Sequence, residues 1–137
     1  MEEVVYTASY AEVKYLREYA CGWLKCRGGW LKSAAVQDLF EQMGHIVDGR
    51  NAVCLLFDLS EMKAFSTNVE RWILENWLPK MQAASLRYVF YLPSHDLFNR
   101  AAMEYVMHSA LQYGLSIYRV HTTDEALRYI QARVKRG

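Results

Sequence analysis

Three short segments carry the side chains that acid–base or nucleophilic chemistry needs: Asp58-Leu59-Ser60-Glu61, Pro93-Ser94-His95-Asp96 and His121-Thr122-Thr123-Asp124. A serine, a histidine and a carboxylate are the nucleophile, base and orienter of acyl-transfer sites, so the set is raw material for hydrolysis, with Asp58 and His95 as the pair to test first. The same residue types are also the preferred helix caps, and each segment stands where a strand gives way to a helix. No G-x-S-x-G elbow accompanies them. Capping explains the segments without catalysis, and the reading is a non-enzymatic chain. His45 and His108 fall inside helical patterns and receive no role.

Other chemistries have less to stand on. Neither G-x-x-x-x-G-K-[ST] nor G-x-G-x-x-G occurs, and Gly28-Gly29 follows no parallel strand, so phosphate cradling has no motif. H-E-x-x-H and carboxylate-rich loops are missing, and no metal or other cofactor is expected. Cys21, Cys26 and Cys54 form no C-x-x-C pair and read as small apolar residues. A bridge between Cys21 and Cys26 would require a turn between them.

What positions the three segments is an alternation of strands and helices. Residues 10–15 alternate, Tyr10, Glu12 and Lys14 to one side and Ala11, Val13 and Tyr15 to the other. A second extended stretch over 19–25 makes an antiparallel hairpin, ended by Arg27-Gly28-Gly29. Ser33 can cap a helix in which Val36, Leu39, Phe40, Met43, Ile46 and Val47 recur at three- and four-residue steps, stopped by Gly49. Residues 53–57 form a continuous apolar run, the mark of a strand covered on both faces. Thr67-Asn68-Val69-Glu70 fits a capping box for a second helix, which Pro79 must kink and which ends near Ala84. A strand over 87–92, a helix over 96–113 closed by Gly114, a strand over 115–120 and a helix opened by Thr122 through Glu125 complete the order ββαβαβαβα. The expected fold is one α/β domain spanning 1–137, with a mostly parallel sheet and a leading antiparallel hairpin. Ligands in such sheets bind beyond the carboxyl ends of the strands, where the three segments lie.

Composition agrees with one compact unit. The chain has 137 residues, 53% hydrophobic and 23% charged. A formal charge of +1 excludes the basic footprint of a nucleic-acid binder. The start, Met1-Glu2-Glu3-Val4-Val5, lacks the basic and apolar regions of a secretory signal, and the clean apolar run over 52–57 is far short of a membrane span. A cytoplasmic protein with no membrane span is expected. Four tryptophans and ten tyrosines exceed what a small core needs. Tyr10, Tyr15, Tyr19 and Trp23 of the hairpin, together with Trp72 and Trp77, either pack or line an apolar pocket or dimer face. The hairpin also offers an edge on which a second copy can pair.

The stretch from Asp58 through Ser60, Ser66 and Thr67 resembles the STAS superfamily, named for sulphate transporters and anti-sigma factor antagonists. The run Trp72 to Pro79, the strand Tyr88-Val89-Phe90-Tyr91-Leu92-Pro93 and the terminal Thr123-Asp124-Glu125-Ala126-Leu127 resemble small bacterial SpoIIAA-like proteins, often grouped with CRAL-TRIO lipid-binding domains. The resemblance covers nearly the whole chain. It implies a STAS-like regulatory domain that binds a protein partner or a second copy of itself, with a carrier or sensor of a small apolar or lipid-like ligand as the alternative. Asp58, Ser60, Ser66, Thr67, His95, Asp96, Trp72 and Trp77 are the candidate ligand- or partner-binding residues. In the anti-sigma antagonists the loop ends in Asp-Ser-Ser-Gly, whose first serine is phosphorylated by a partner kinase. That serine corresponds to Thr67, with Ser66, Asn68 and Val69 in place of the acid, the second serine and the glycine, which makes Thr67 the candidate phosphoacceptor.

Overall fold

The computed structural model describes residues 2–28, 31–63 and 66–134. Gly29 at the hairpin's end, Trp30, and Ala64 and Phe65 of the STAS-like stretch lie outside them.

Six strands form one sheet in sequential order: β1 (Glu2–Ala8), β2 (Ala11–Leu16), β3 (Cys21–Cys26), β4 (Cys54–Asp58), β5 (Tyr88–Leu92) and β6 (Ser116–Arg119). β1, β2 and β3 pair antiparallel, whereas β3 to β6 run parallel. The mixed α/β architecture is as expected, but the strands number six, and the expected hairpin corresponds to β2 and β3. β1 precedes it as an additional edge strand. Val4, Val5, Tyr6 and Thr7 are strand-forming residues whose alternation is broken by a register shift between Val4 and Tyr6, which hides the period-two pattern. That irregularity, with Glu2 paired to Lys14 and Glu3 to Arg50, blunts the edge against pairing with another copy.

Three crossovers connect the parallel strands: α1 (Ser33–Arg50), then α2 (Thr67–Trp72) continued as α3 (Leu78–Gln82), then α4 (Leu97–Ser109). Sequential strands joined by crossovers of one hand must place these helices on the same face. There, Phe40, Met43 and Ile46 of α1, Ile73, Trp77 and Met81, and Met103 and Val106 of α4 meet Leu24, Leu55, Phe57 and Val89 of the sheet in one core. The opposite face is covered by α5 (Thr123–Tyr129), whose Ala126, with Ile130 beyond it, packs on Cys54, Leu56 and Phe90. β4 is buried throughout, as its unbroken apolar run requires.

Four boundaries differ from expectation. Ser33 is the first residue of α1 rather than its cap; Lys32 occupies the cap position and gives no side-chain bond. α1 passes through Gly49 and stops at Asn51, whose left-handed backbone (φ 54°) ends the helix as a glycine would. Ser66, not Thr67, caps α2, accepting from the Val69 amide, because this register buries Val69 and Ile73 together. Pro79 does not end the second helix. A single wide turn over Ile73–Trp77 precedes α3, with the Leu78 amide reaching back to the Ile73 carbonyl, and it places the proline in the first turn of α3, where a missing amide costs nothing. Gly114, at φ 78°, closes the α4 segment as expected.

Cys21 and Cys26 stand at opposite ends of β3, about 17 Å apart at strand rise, so no bridge joins them. Cys21 instead lies beside Cys54 of the neighbouring strand, sulfur to sulfur 3.2 Å, and all three thiols are free and buried. The aromatic surplus fills both cores. Tyr15 is buried and Tyr10 packs on the helix-covered face, whereas Tyr19 and Trp23 pack on the α5 face beside a cluster in which Phe90, Tyr118 and Tyr129 stack within 5.4 Å of one another. No helix among the described residues is long and apolar enough to cross a membrane.

Candidate functional site at the carboxyl edge of the sheet

β4 delivers Asp58 to the carboxyl edge, and strand alternation turns its side chain to the α5 face, as it does for Lys25 opposite it in register on β3. Only 3% of Asp58 is exposed. Its carboxylate accepts from Lys25 Nζ at 3.3 Å, from the Ser60 amide at 3.2 Å and from Ser60 Oγ at 2.7 Å. A buried charge is tolerable only with partners of this kind. The serine hydroxyl donates directly to the carboxylate, with no imidazole between them. Asp58 makes no hydrogen bond with His95 among the described residues; the contact of His95 with this loop is its backbone amide on the Ser60 carbonyl, 3.0 Å. Asp58, Ser60 and His95 therefore share an edge without forming a nucleophile–base relay.

The loops after β4 and β5 are tied together by one carbonyl. Met62 O accepts from Ser94 Oγ and from Asn99 Nδ2, both at 2.7 Å, and all three residues are buried. Asp96 caps α4, accepting from the Asn99 amide at 3.0 Å, and so acts as a structural carboxylate. Cys26, at the end of β3, has its thiol pushed up to about 12 by burial first and by Asp58 and Glu61 next, which leaves it inert. Burial also raises the Tyr91 hydroxyl, Glu104 adding to the effect.

Ser66 and Thr67 stand at the start of α2 and make no hydrogen bond with Asp58, Ser60 or His95 among the described residues. Ser66 Oγ caps the helix and meets Ser33 Oγ at 2.9 Å, fastening α2 to α1. Thr67 is exposed and, freed of the cap, its hydroxyl has no partner among the described residues. Trp77 is 5% exposed; its ring stands edge-on to Phe40 at 5.2 Å and its Nε1 donates to the Phe40 carbonyl at 2.7 Å. It is held in the core, and its remaining exposed edge lines the same cleft as Trp72. Trp72 is half-buried and lines a cleft of about 400 Å³ between α1 and the second helix, whose walls also carry Glu41, His45, Asp48 and Lys80. Those charges suit water better than a lipid chain.

The outer face of α4 is a different kind of surface. α4 turns Asn99, Met103, Val106 and Met107 inward, yet Leu97 (70% exposed), Phe98 (85% exposed) and Tyr105 on the helix, and Leu111 in the turn after it, are exposed. A helix apolar on both faces ordinarily lies between two layers, and only one layer is present here. Tyr105 also lines a groove of about 330 Å³ with Thr67, Arg71 and Leu74, so the outer face of α4 runs on to the start of α2. Positions 97, 98, 101 and 105 repeat at helical spacing, a signal visible in the sequence beside the inward set.

No protein-family model, no curated protein and no solved structure matches the chain.

Proposed function

We propose that the chain is a STAS-like binding domain that acts by docking a protein partner on the outer face of α4 and the adjoining start of α2. The observation that carries this reading is the exposed set Leu97, Phe98 and Tyr105 on a helix whose other face is already buried, continued by Leu111 in the turn that follows it. Aromatic side chains of this kind are the usual anchors of a protein interface. Thr67, exposed and with its hydroxyl unpartnered among the described residues, lies in the same groove as Tyr105, so a phosphate added there would place about two negative charges in a groove lined by Arg71, Glu70 and Glu75 and change the charge of the docking face's rim. This supports Thr67 as the regulatory position that the family resemblance implies. The polar walls of the α1 cleft favour a protein partner over an apolar carrier.

The test is capture with immobilised wild-type chain and with Phe98→Ser/Tyr105→Ser, compared after confirming equal thermal stability, and with light scattering to read self-association. The wild type retains a partner, or a second copy, that the variant does not. Identical capture and identical mass for both proteins would refute the docking face.

A further inference from the structure

A second, chemically different site lies at the carboxyl edge of β4, β5 and β6. We propose that the cleft framed by Arg100, Arg119, His95 and His121 binds a small tetrahedral oxyanion, the phosphoryl group of a small phosphate monoester being the favoured class.

The cleft has a volume of about 180 Å³, which admits a phosphate-sized group and little more. Its walls include two arginines and two histidines but no acidic side chain. Four nearby acids are engaged: Asp58 with Lys25 and Ser60, Glu104 with Arg119 at 3.5 Å, Asp96 with the Asn99 amide, and Glu125 with the His121 amide at 3.0 Å; Glu61 lines the adjoining hollow and not the cleft itself. Arg100 is the residue built for the task. Its Nε donates to the Ser94 carbonyl at 3.0 Å, which fixes the plane of the guanidinium. Its two terminal nitrogens have no hydrogen-bond partner among the described residues, and a held guanidinium with two free N–H₂ groups matches two oxygens of a phosphate. Arg119 reaches the cleft from β6 with its charge shared with Glu104, so Arg100 is the principal cation, and the two imidazoles can donate to the remaining oxygens. Ser60 also lines the cleft, but its proton is committed to Asp58, so it offers an acceptor and leaves the recognition of the anion to the cations. An adjoining hollow of about 360 Å³ shares Ser60, Ser94 and His95 and adds Lys63, Glu61 and Asp96, a mixed-charge surface suited to a polar substituent on the phosphoryl group. The place agrees with the general rule for open parallel sheets, whose ligands lie beyond the carboxyl ends of the strands.

The experiment is an amide NMR titration of the full chain with inorganic phosphate, glycerol phosphate and sulfate at fixed ionic strength, with chloride as the control. Phosphate and glycerol phosphate produce saturable shifts at His95, Arg100 and His121, the ester binding more tightly, and chloride produces none. Arg100→Met weakens binding at least tenfold and Arg119→Gln weakens it less, both with melting temperatures near wild type, whereas Lys80→Met in the α1 cleft binds as wild type. Should Arg100→Met unfold through loss of the Ser94 contact, Arg119→Gln and His121→Ala carry the same readout. Non-saturable shifts in the wild type, equal effects of chloride, or wild-type affinity in the folded cleft variants would overturn the proposal. Sulfate binding equal to the ester's would overturn the preference for a phosphoryl group.

Discussion

Replacing Lys25 with methionine tests whether the ion pair at the head of the site is structural. The ammonium lies 3.3 Å from a carboxylate whose side chain is 5% exposed, while the lysine side chain itself is 39% exposed. At that separation the attraction is about 1 kcal/mol in water and about 5 kcal/mol at an effective dielectric constant of 20. Desolvation of Asp58 offsets much of the larger figure, and water can reach the carboxylate from the lysine side once the ammonium is gone. Lys25→Met should therefore cost about 2 kcal/mol, between the 1 kcal/mol or less of an exposed pair and the roughly 3–5 kcal/mol of a fully buried one. For a chain of this length that corresponds to a fall of about 8 °C in melting temperature. Asp58→Asn keeps an oxygen for the Ser60 amide and hydroxyl, leaves Lys25 free to turn to water, and should cost about 1 kcal/mol. The double variant buries no charge and should be less destabilised than Lys25→Met alone, by about 1 kcal/mol. Urea denaturation followed by circular dichroism on the four proteins closes the cycle. A Lys25→Met cost below about 0.5 kcal/mol, or additive single effects, would mean that Lys25 does not neutralise Asp58 in the folded chain.

At Gly22 a β-carbon would lie 2.8 Å from Leu55 Cδ2 and 3.3 Å from Ile46 Cδ1, both fully buried, so Gly22→Ala should destabilise by about 1–3 kcal/mol and Ile46→Val should recover part of that loss. Urea midpoints showing no cost, or no recovery, would contradict this close approach of α1 to β3. Native Cys21, Cys26 and Cys54 should resist iodoacetamide at pH 8 and react only in denaturant, as read by mass spectrometry. Because the folded Cys26 thiol is raised from 9.0 to about 12, its contribution to stability is complete below pH 9 and is lost as pH climbs toward 12, by about 1.4 kcal/mol per pH unit. Cys26→Val should accordingly lose stability less steeply above pH 9 than the wild type. Phe98→Ser, at a position 85% exposed, should change stability by no more than about 0.5 kcal/mol while abolishing partner capture.

The helices of the crossovers and the central strands were legible because their apolar periods are long and clean, as in Val36 to Val47 and in the buried run of β4. β1 was not, since its register shift breaks the alternation on which a strand is recognised. Cap positions failed by one residue where Ser66 and Thr67 are both competent, and only the burial of Val69 and Ile73 chooses between them. At the site, Asp58, Ser60, His95 and Asp96 reach the expected edge because strand ends determine it, but their pairing depends on Lys25 and Met62, whose proximity arises only when β3 joins β4 and the two loops meet. The anchoring of Trp77 in the core was not legible in sequence, because the carbonyl of Phe40 that holds it lies on another helix, 37 residues away. Arg100 and Phe98 follow Asp96 within the first turn of α4 and point to different sides of it, and it is the neighbouring loops that give one a cleft and leave the other bare.

The docking claim is tested most directly by oxidative footprinting of side chains, comparing the dilute chain with its captured or self-associated complex. Phe98 and Tyr105 should be labelled freely in the dilute chain and protected several-fold in the complex, while Trp72 in the α1 cleft is labelled equally in both. Unchanged labelling of Phe98 and Tyr105, with protection elsewhere, would contradict the outer face of α4 as the binding surface.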